Sequence, residues 1–413
     1  IDELELHDTN IYPMEALPNY APLGKLYDEI NLNNERYWKY PNTVIEDFQR
    51  DGDTEFDIFF VIRKKDVMVH FPYQSFHNSI EHFIESAADD PKVRAIKVIL
   101  YRTDTEGRLI DTLIRAAENK KQVACIIELK ARFDEEKNIH WASKLEEMGI
   151  HVTYGILGLK THGKLIMVVR EDHDGIRTYV NIGTGNFNSQ TSKLYTDLSL
   201  FTCDEKISTE VIELFNYLTG RSLKRDYKKL LVAPYTMRST FTECIDKETQ
   251  LAKKGKHARI VAKMNSLEDP EIIEKLYEAS DAGVSIDLIV RGFCCLRPGV
   301  KGLSENIRVT SIVGRLLEHS RIYYFSDGHK DMTKGKFFIG SADWMHRNLN
   351  DRVEVITPID DKEIRKSLAD YLELSLSDNR HLWELDGNTG KYSQRRDDKN
   401  PINTQLKLLK GES

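Results

Sequence analysis

The hexapeptide Lys-Thr-His-Gly-Lys-Leu, residues 160–165, sets His162 between two lysines at the mouth of an apolar run, Leu-Ile-Met-Val-Val. Neighbouring cations disfavour the imidazolium form, so such a ring stays neutral and keeps a free lone pair. That is the form needed for nucleophilic attack on a phosphoryl group. A second histidine has a matching setting: His319 is followed by Ser320-Arg321 and then by Ile-Tyr-Tyr-Phe. Gly-Thr-Gly-Asn-Phe places Asn186 24 residues after His162, and Gly-Ser-Ala-Asp-Trp places Asp343 24 residues after His319. Equal spacing with matching residue classes marks an internal duplication. Upstream, Arg132 lies 30 residues before His162 and Arg291 lies 28 before His319, so each copy is expected to supply a half-site.

The elements that must carry these residues repeat as well. Apolar periodicity predicts strands at 66–71, 94–102, 122–132 and from 151, with helices near 74–90, 109–120 and 138–149. After a helical stretch at 208–220 and a basic segment, strands return at 258–264, 285–292, 306–314 and 317–325, with a helix at 271–283. Alternating strand and helix implies a layered α/β fold whose parallel sheets gather ligand-binding residues at their carboxyl edges. The expected division is a linker or domain remnant at 1–50, a first domain at 51–205, a helical connection at 206–256, a second domain at 257–376 and a polar tail at 377–413. Two such domains face to face would bring two histidines, Lys164, Arg321, Arg102, Arg132 and the turns at Thr184 and Ser341 into one cleft. Arginine forks, lysine charges and backbone N–H donors of that kind suit phosphate.

Composition bounds the setting. The chain has 413 residues, 40% hydrophobic and 30% charged, enough for two or three cores. A net charge of −7 argues against a nucleic-acid coat, so a polyanion must be held by a local basic site. Five cysteines lack metal-ligand spacing, and no apolar run is long enough to span a membrane. The expected location is the cytoplasm, with peripheral attachment to a membrane left open. His173, His257, His329, His346 and the Cys294-Cys295 pair are expected to be surface or packing residues.

The paired H-x-basic motif with its glycine turn resembles the phospholipase D superfamily, although the aspartate usual seven positions after the histidine is replaced by Val169 and Ser326. The fuller resemblance is to the large polyphosphate kinase family. It is carried by ILYRTD, ELKARFDEEKNIHWA, GLKTHGKL, NIGTGNFN, LYTDLSLFT, LIVRG, LLEHSRIYYF and IGSADWMHRNLNDRVEV, in that order. It implies an α/β fold of two duplicated phospholipase D-like domains forming a shared active-site cleft. It also implies reversible transfer of the terminal phosphate of ATP to inorganic polyphosphate through a phosphohistidine. On this resemblance His162 is the phosphorylated residue and His319 the second catalytic histidine. Tyr195, Arg291 and His319 contact ATP, Lys164 and Arg321 bind phosphate, and Arg102 and Arg132 are associated with Mg²⁺. Because a guanidinium has no lone pair to give, these two arginines are expected to hold the phosphate oxygens that the ion bridges. The resemblance covers the carboxyl-terminal catalytic part of the family, whose full-length form is expected to be a homo-oligomer. The alternative is a phospholipase D-like phosphodiesterase.

Overall fold

The computed structural model describes Thr43, Phe48 and residues 57–101, 107–129 and 135–411. The linker expected at 1–50 lies, apart from Thr43 and Phe48, outside the described residues. The first copy carries β1 (Val67–Phe71), β2 (Val93–Leu100), β3 (Gln122–Ile127), β4 (His151–Thr153), β5 (Lys160–Thr161), β6 (Leu165–Asp172), β7 (Gly175–Gly183) and β8 (Tyr195–Thr202). The second carries β9 (Leu231–Ala233), β10 (Arg259–Met264), β11 (Ser285–Val290), β12 (Ile307–Ile312), β13 (Leu317–Glu318), β14 (Ile322–Phe325), β15 (Lys336–Gly340) and β16 (Arg352–Ile359). Two further strands, β17 (Leu382–Leu385) and β18 (Tyr392–Gln394), follow.

The first sheet runs β1-β8-β7-β6-β2-β3-β4 and the second β9-β16-β15-β14-β10-β11-β12, so corresponding strands hold corresponding places. In each, three strands are parallel and the rest antiparallel. The sheets are therefore mixed, which corrects the expectation of parallel sheets. The reason is connection length: β6 and β7 are joined only by His173-Asp174, which closes a hairpin, whereas a parallel crossover needs a dozen or more residues. The antiparallel direction brings the first residues of β6 beside the carboxyl ends of β2 and β3, with Ile166 opposite Val98. The ends of β7 and β14's partner β15, and the starts of β8 and β16, fall on the same edges as the histidines.

Two very short strands cross between the sheets. β5, which ends one residue before His162, pairs with β16 of the second sheet, and β13, which ends one residue before His319, pairs with β8 of the first. The cores follow this exchange. Val353 and Val355 of β16 pack with Ile99, Leu165, Met167 and helix Glu205–Leu218. Leu198 and Leu200 of β8 pack with Val261, Ile322, Ile339 and helix Lys362–Ser377. The opposite face of each sheet is covered by its own helices, such as Arg108–Glu118, where Leu109, Ile110, Leu113 and Ala116 recur on one side.

The segment 377–413, expected as a polar tail, adds β17 to β12 and β18 to β17, and places a helix, Thr404–Lys410, with Thr404 and Gln405 buried. Its low hydropathy concealed that role, since β17 is paired on both edges and half-exposed. The basic stretch before residue 237 likewise contributes β9, and helix Met237–Lys253 buries Met237, Phe241 and Ile245.

Candidate active site

His162 follows β5 and its N–H donates to the Val353 carbonyl at 2.9 Å. Its Nδ1 lies 2.8 Å from Glu354 Oε1 and 2.9 Å from Oε2, although the two residues are 192 apart in sequence. His319 is arranged in the same way in the other direction: its Nδ1 is 2.9 Å from both carboxylate oxygens of Asp197, at a separation of 122 residues. Each carboxylate also accepts a hydroxyl. Thr184 Oγ1 donates to Asp197 at 2.6 Å, and Ser341 Oγ donates to Glu354 at 2.5 Å. The same two hydroxyls accept the N–H of Leu198 and of Val355, at 2.9 and 3.0 Å. Two hydroxyl-carboxylate-imidazole chains result, each drawing its histidine from the opposite copy.

Asp197 and Glu354 were not singled out from sequence, although a signal existed: each follows its own copy's histidine by 35 residues, 162 to 197 and 319 to 354. The glycine turn has a steric reason. A Cβ on Gly185 would lie 2.1 Å from Asp197 Oδ2, so only glycine lets that carboxylate reach across to His319.

Around His162 the ring of Tyr101 stands edge-on at 4.8 Å, and Lys164 lies over the same tyrosine ring at 4.5 Å while donating to the His162 carbonyl at 2.5 Å. Burial, then Lys164, Arg352 and Arg321, hold the His162 imidazole well below its ordinary pKa, so it is neutral. Burial raises the Glu354 carboxyl, against Arg352 and Lys164; when it is ionised it accepts Nδ1–H and leaves the His162 lone pair on Nε2. Burial lowers His319 too, with Arg321 adding to it. Burial works against the Asp197 carboxylate, but His319, Arg321 and Thr184 outweigh it and keep it below the usual range.

Arg321 is almost fully engaged. It forms a two-armed pair with Asp343, both contacts at 3.2 Å, donates to the Thr184 and His319 carbonyls, and sets Nη1 3.1 Å from both ring nitrogens of His319. Tyr195 stands edge-on to His319 at 5.2 Å. Arg291 is exposed and bonds Asn265 Oδ1 at 2.9 Å, and Asn265 in turn reaches Asp343. The structure thus brings His162, Lys164, His319, Arg321, Tyr195 and Arg291 to the meeting edges of the two sheets. Arg102 and Arg132 lie outside the described residues. While Arg132, the expected counterpart by spacing, lies outside the described residues, strand register aligns Glu128 with Arg291. Each directly follows its strand, and their N–H groups donate to Leu100 and Met264 at 3.1 and 3.2 Å. Insertions between strand and histidine make raw spacing unreliable there.

Duplicated domains with crossed histidine-carboxylate pairs define a protein of the phospholipase D-like α/β fold class. A solved phosphatidylserine synthase from Haemophilus influenzae is similar at the level of fold, with a TM-score of 0.50, 10% identity, and coverage of 84% of this chain and 92% of that one. Much closer similarity sets the family. Residues 57–224 match the polyphosphate kinase C-terminal domain 1 and residues 230–405 the polyphosphate kinase C-terminal domain 2. The chain belongs to the polyphosphate kinase family. It is 54% identical over 353 residues to a polyphosphate kinase of Synechocystis sp., covering 84% of this chain and 48% of that protein. The solved polyphosphate kinase from Porphyromonas gingivalis superposes with a TM-score of 0.85 at 34% identity, covering 98% of this chain and 61% of that one. The chain spans about half the length of the curated relatives it matches.

Proposed function

We propose that this chain carries the phosphoryl-transfer centre of an ATP:polyphosphate phosphotransferase acting through a phosphohistidine at His162. The observation that supports it most directly is the His162 side chain, 11% exposed, with Nδ1 set 2.8 Å from the buried Glu354 carboxyl, an arrangement that leaves Nε2 as the nucleophile. Nε2 attacks the terminal phosphorus of ATP. A P–N bond forms as the P–O bond to ADP breaks, and the bond pair leaves with the ADP oxygen. An oxygen at the end of a polyphosphate chain then attacks the same phosphorus and returns the P–N pair to Nε2.

His319, neutral before substrate binds and backed by the Asp197 carboxylate, has its base end at Nε2. A nearby anionic phosphate raises its pKa, so the residue takes a proton as the nucleotide binds and delivers it to the departing ADP. Arg291 and Tyr195, which border His319, are the ATP-contacting side chains in this reading. Lys164 and Arg321 border the phosphoryl group in this reading, Arg321 with its charge already countered by Asp343 and Lys164 able to take up charge against the incoming phosphate. Mg²⁺, if brought in with the nucleotide, would help neutralise its phosphate charge, with Arg102 and Arg132 expected to hold the same phosphate oxygens. Among the described residues no group of three or more His, Cys, Asp or Glu side chains is placed to hold a metal, and a guanidinium at Arg102 or Arg132 cannot ligate one. The proposed setting is cytoplasmic, consistent with five free cysteines. Among the described residues no helix is long and apolar enough to cross a membrane. Homo-oligomerisation of the full-length form remains part of the proposal.

Incubation with γ-labelled ATP tests the reading. Acid-labile, base-stable label on His162, discharged by ADP or by polyphosphate, is expected. Hydrolysis of a phosphodiester without ATP, and no label, would make the protein a phosphodiesterase instead.

A further inference from the structure

β13 is only two residues long, pairs in parallel with β8 at Tyr195 and Thr196, and is the sole strand leading into His319. So short a parallel pairing supplies few hydrogen bonds. The backbone around the histidine is instead held by side chains from far away. Gln405, on the carboxyl-terminal helix Thr404–Lys410, accepts the Leu316 N–H at 2.9 Å and donates to the Leu316 carbonyl at 2.9 Å, as a neighbouring strand would. The same Nε2 donates to Glu318 Oε1 at 2.7 Å. The close approach requires Gly314, where a Cβ would lie 2.6 Å from Gln405 Oε1.

Glu318, which immediately precedes His319, is the hub. Its Oε2 receives Lys263 Nζ at 3.0 Å, Tyr371 Oη at 2.9 Å and Thr196 Oγ1 at 3.1 Å. Lys263 also donates to Ser320 Oγ at 2.8 Å, so both neighbours of His319 are fixed by one ammonium. Gln405, Glu318, Lys263 and Thr196 are all at most 2% exposed. A buried carboxylate missing one donor loses far more than a single exposed hydrogen bond would cost. The His162 side is built differently. Thr161, at the position of Glu318, has no carboxylate, and its N–H donates to Glu128 at 2.7 Å.

We infer that Gln405, acting through Glu318 and the Leu316 backbone, is a positioning residue for His319, which makes the carboxyl-terminal helix a working part of the catalytic centre. The inference rests on the phosphotransferase reading for its kinetic arm only. Gln405→Leu keeps the bulk and removes the bonds, and Gln405→Glu keeps the shape and puts a second carboxylate against Glu318. Both are tested in the purified protein, with circular dichroism and calorimetry to count folded molecules. The readouts are phosphotransfer kinetics and the ¹⁵N signals of the His319 imidazole, assigned by their loss in His319→Gln. Small misplacements of a reacting group cost up to about 10²-fold. The expected result is a fall of about that size in kcat per folded molecule, with KM for ATP unchanged, a shifted pH profile and moved His319 signals. Unchanged kcat, or a fall in kcat with the His319 signals unmoved, would overturn the inference. If the parent protein transfers no phosphate, the functional reading fails, and the imidazole signals alone still decide whether Gln405 positions His319.

Discussion

In the half-site of His319, the cation two residues after the histidine is taken up by a carboxylate: Arg321 grips Asp343 with two contacts at 3.2 Å. In the half-site of His162 the corresponding residues are Lys164 and Asn186. Among the described residues Asn186 Oδ1 is buried without a partner, and Lys164 donates to a carbonyl instead. One half therefore contains a neutralised ion pair that orders His319. The other keeps a lysine amine, 2% exposed, whose charged form burial disfavours first and Glu354 favours. An incoming phosphoryl oxygen would relieve that burial cost, which an asparagine cannot. Equivalent frames thus support different tasks: a nucleophile beside a lysine that an incoming phosphate would favour in its charged form, and an acid-base group held rigidly.

The largest expected effect separates the histidines themselves. His162→Ala abolishes covalent labelling by γ-labelled ATP, whereas His319→Ala still binds ATP and labels about 10²–10⁴-fold more slowly. Rapid-quench labelling would show the difference, and equal labelling of both variants would end the comparison. The carboxylates come next. Glu354→Gln and Asp197→Asn keep shape but disturb the orientation and tautomer of His162 and His319 respectively, each costing up to about 10²-fold. The crossed assignment makes the pattern specific: Glu354→Gln, though in the second copy, must resemble a defect of His162. Phosphohistidine formation measured in single turnovers checks this.

A smaller effect is expected when the halves are made alike. Asn186→Asp offers Lys164 the partner that Arg321 has, withdrawing its charge from phosphate and raising KM for ATP about tenfold, equivalent to ~1.4 kcal/mol. A KM that stays put would show that Lys164 is not available to substrate. The smallest effect is in pH. Because burial, Lys164 and Arg352 hold His162 well below 6.5, its free base persists to lower pH than an ordinary histidine's, and the acid limb of labelling lies below that of a free imidazole. Lys164→Met removes one depressing charge and moves that acid limb upward. The same depression has a linked cost. A histidine neutral in the fold but not in the unfolded chain contributes stability that is fully present above about pH 6.5 and is lost as pH falls below it. Melting temperature against pH should decline from that point.

Much of the frame was legible from local pattern. Apolar runs such as Leu165–Asp172 and amphipathic stretches such as Arg108–Glu118 report burial along one element, and the element order of the two copies is written in the chain. Strands β7, β8, β15 and β16 carry a weaker local signal, because polar and glycine-bearing motifs interrupt their apolar pattern and only short helical turns, Thr191–Lys193 and His346–Asn350, separate the members of each pair. Strand β17 was missed because half-exposed residues carry a weak signal.

What the sequence by itself determined was the duplication: two histidines, each with its basic residue, its glycine turn and its carboxylate at equal intervals, because a repeat preserves spacing whatever the chain does in space. Which carboxylate serves which histidine was decided only by tertiary structure. Two-residue strands at Lys160–Thr161 and Leu317–Glu318 leave their own sheets and dock on β16 and β8. Nothing in so short a stretch specifies a partner, since its few hydrogen bonds fit any strand edge. The packed cores and the buried links at Glu318 select the crossing, and with it they place Glu354 on His162 and Asp197 on His319.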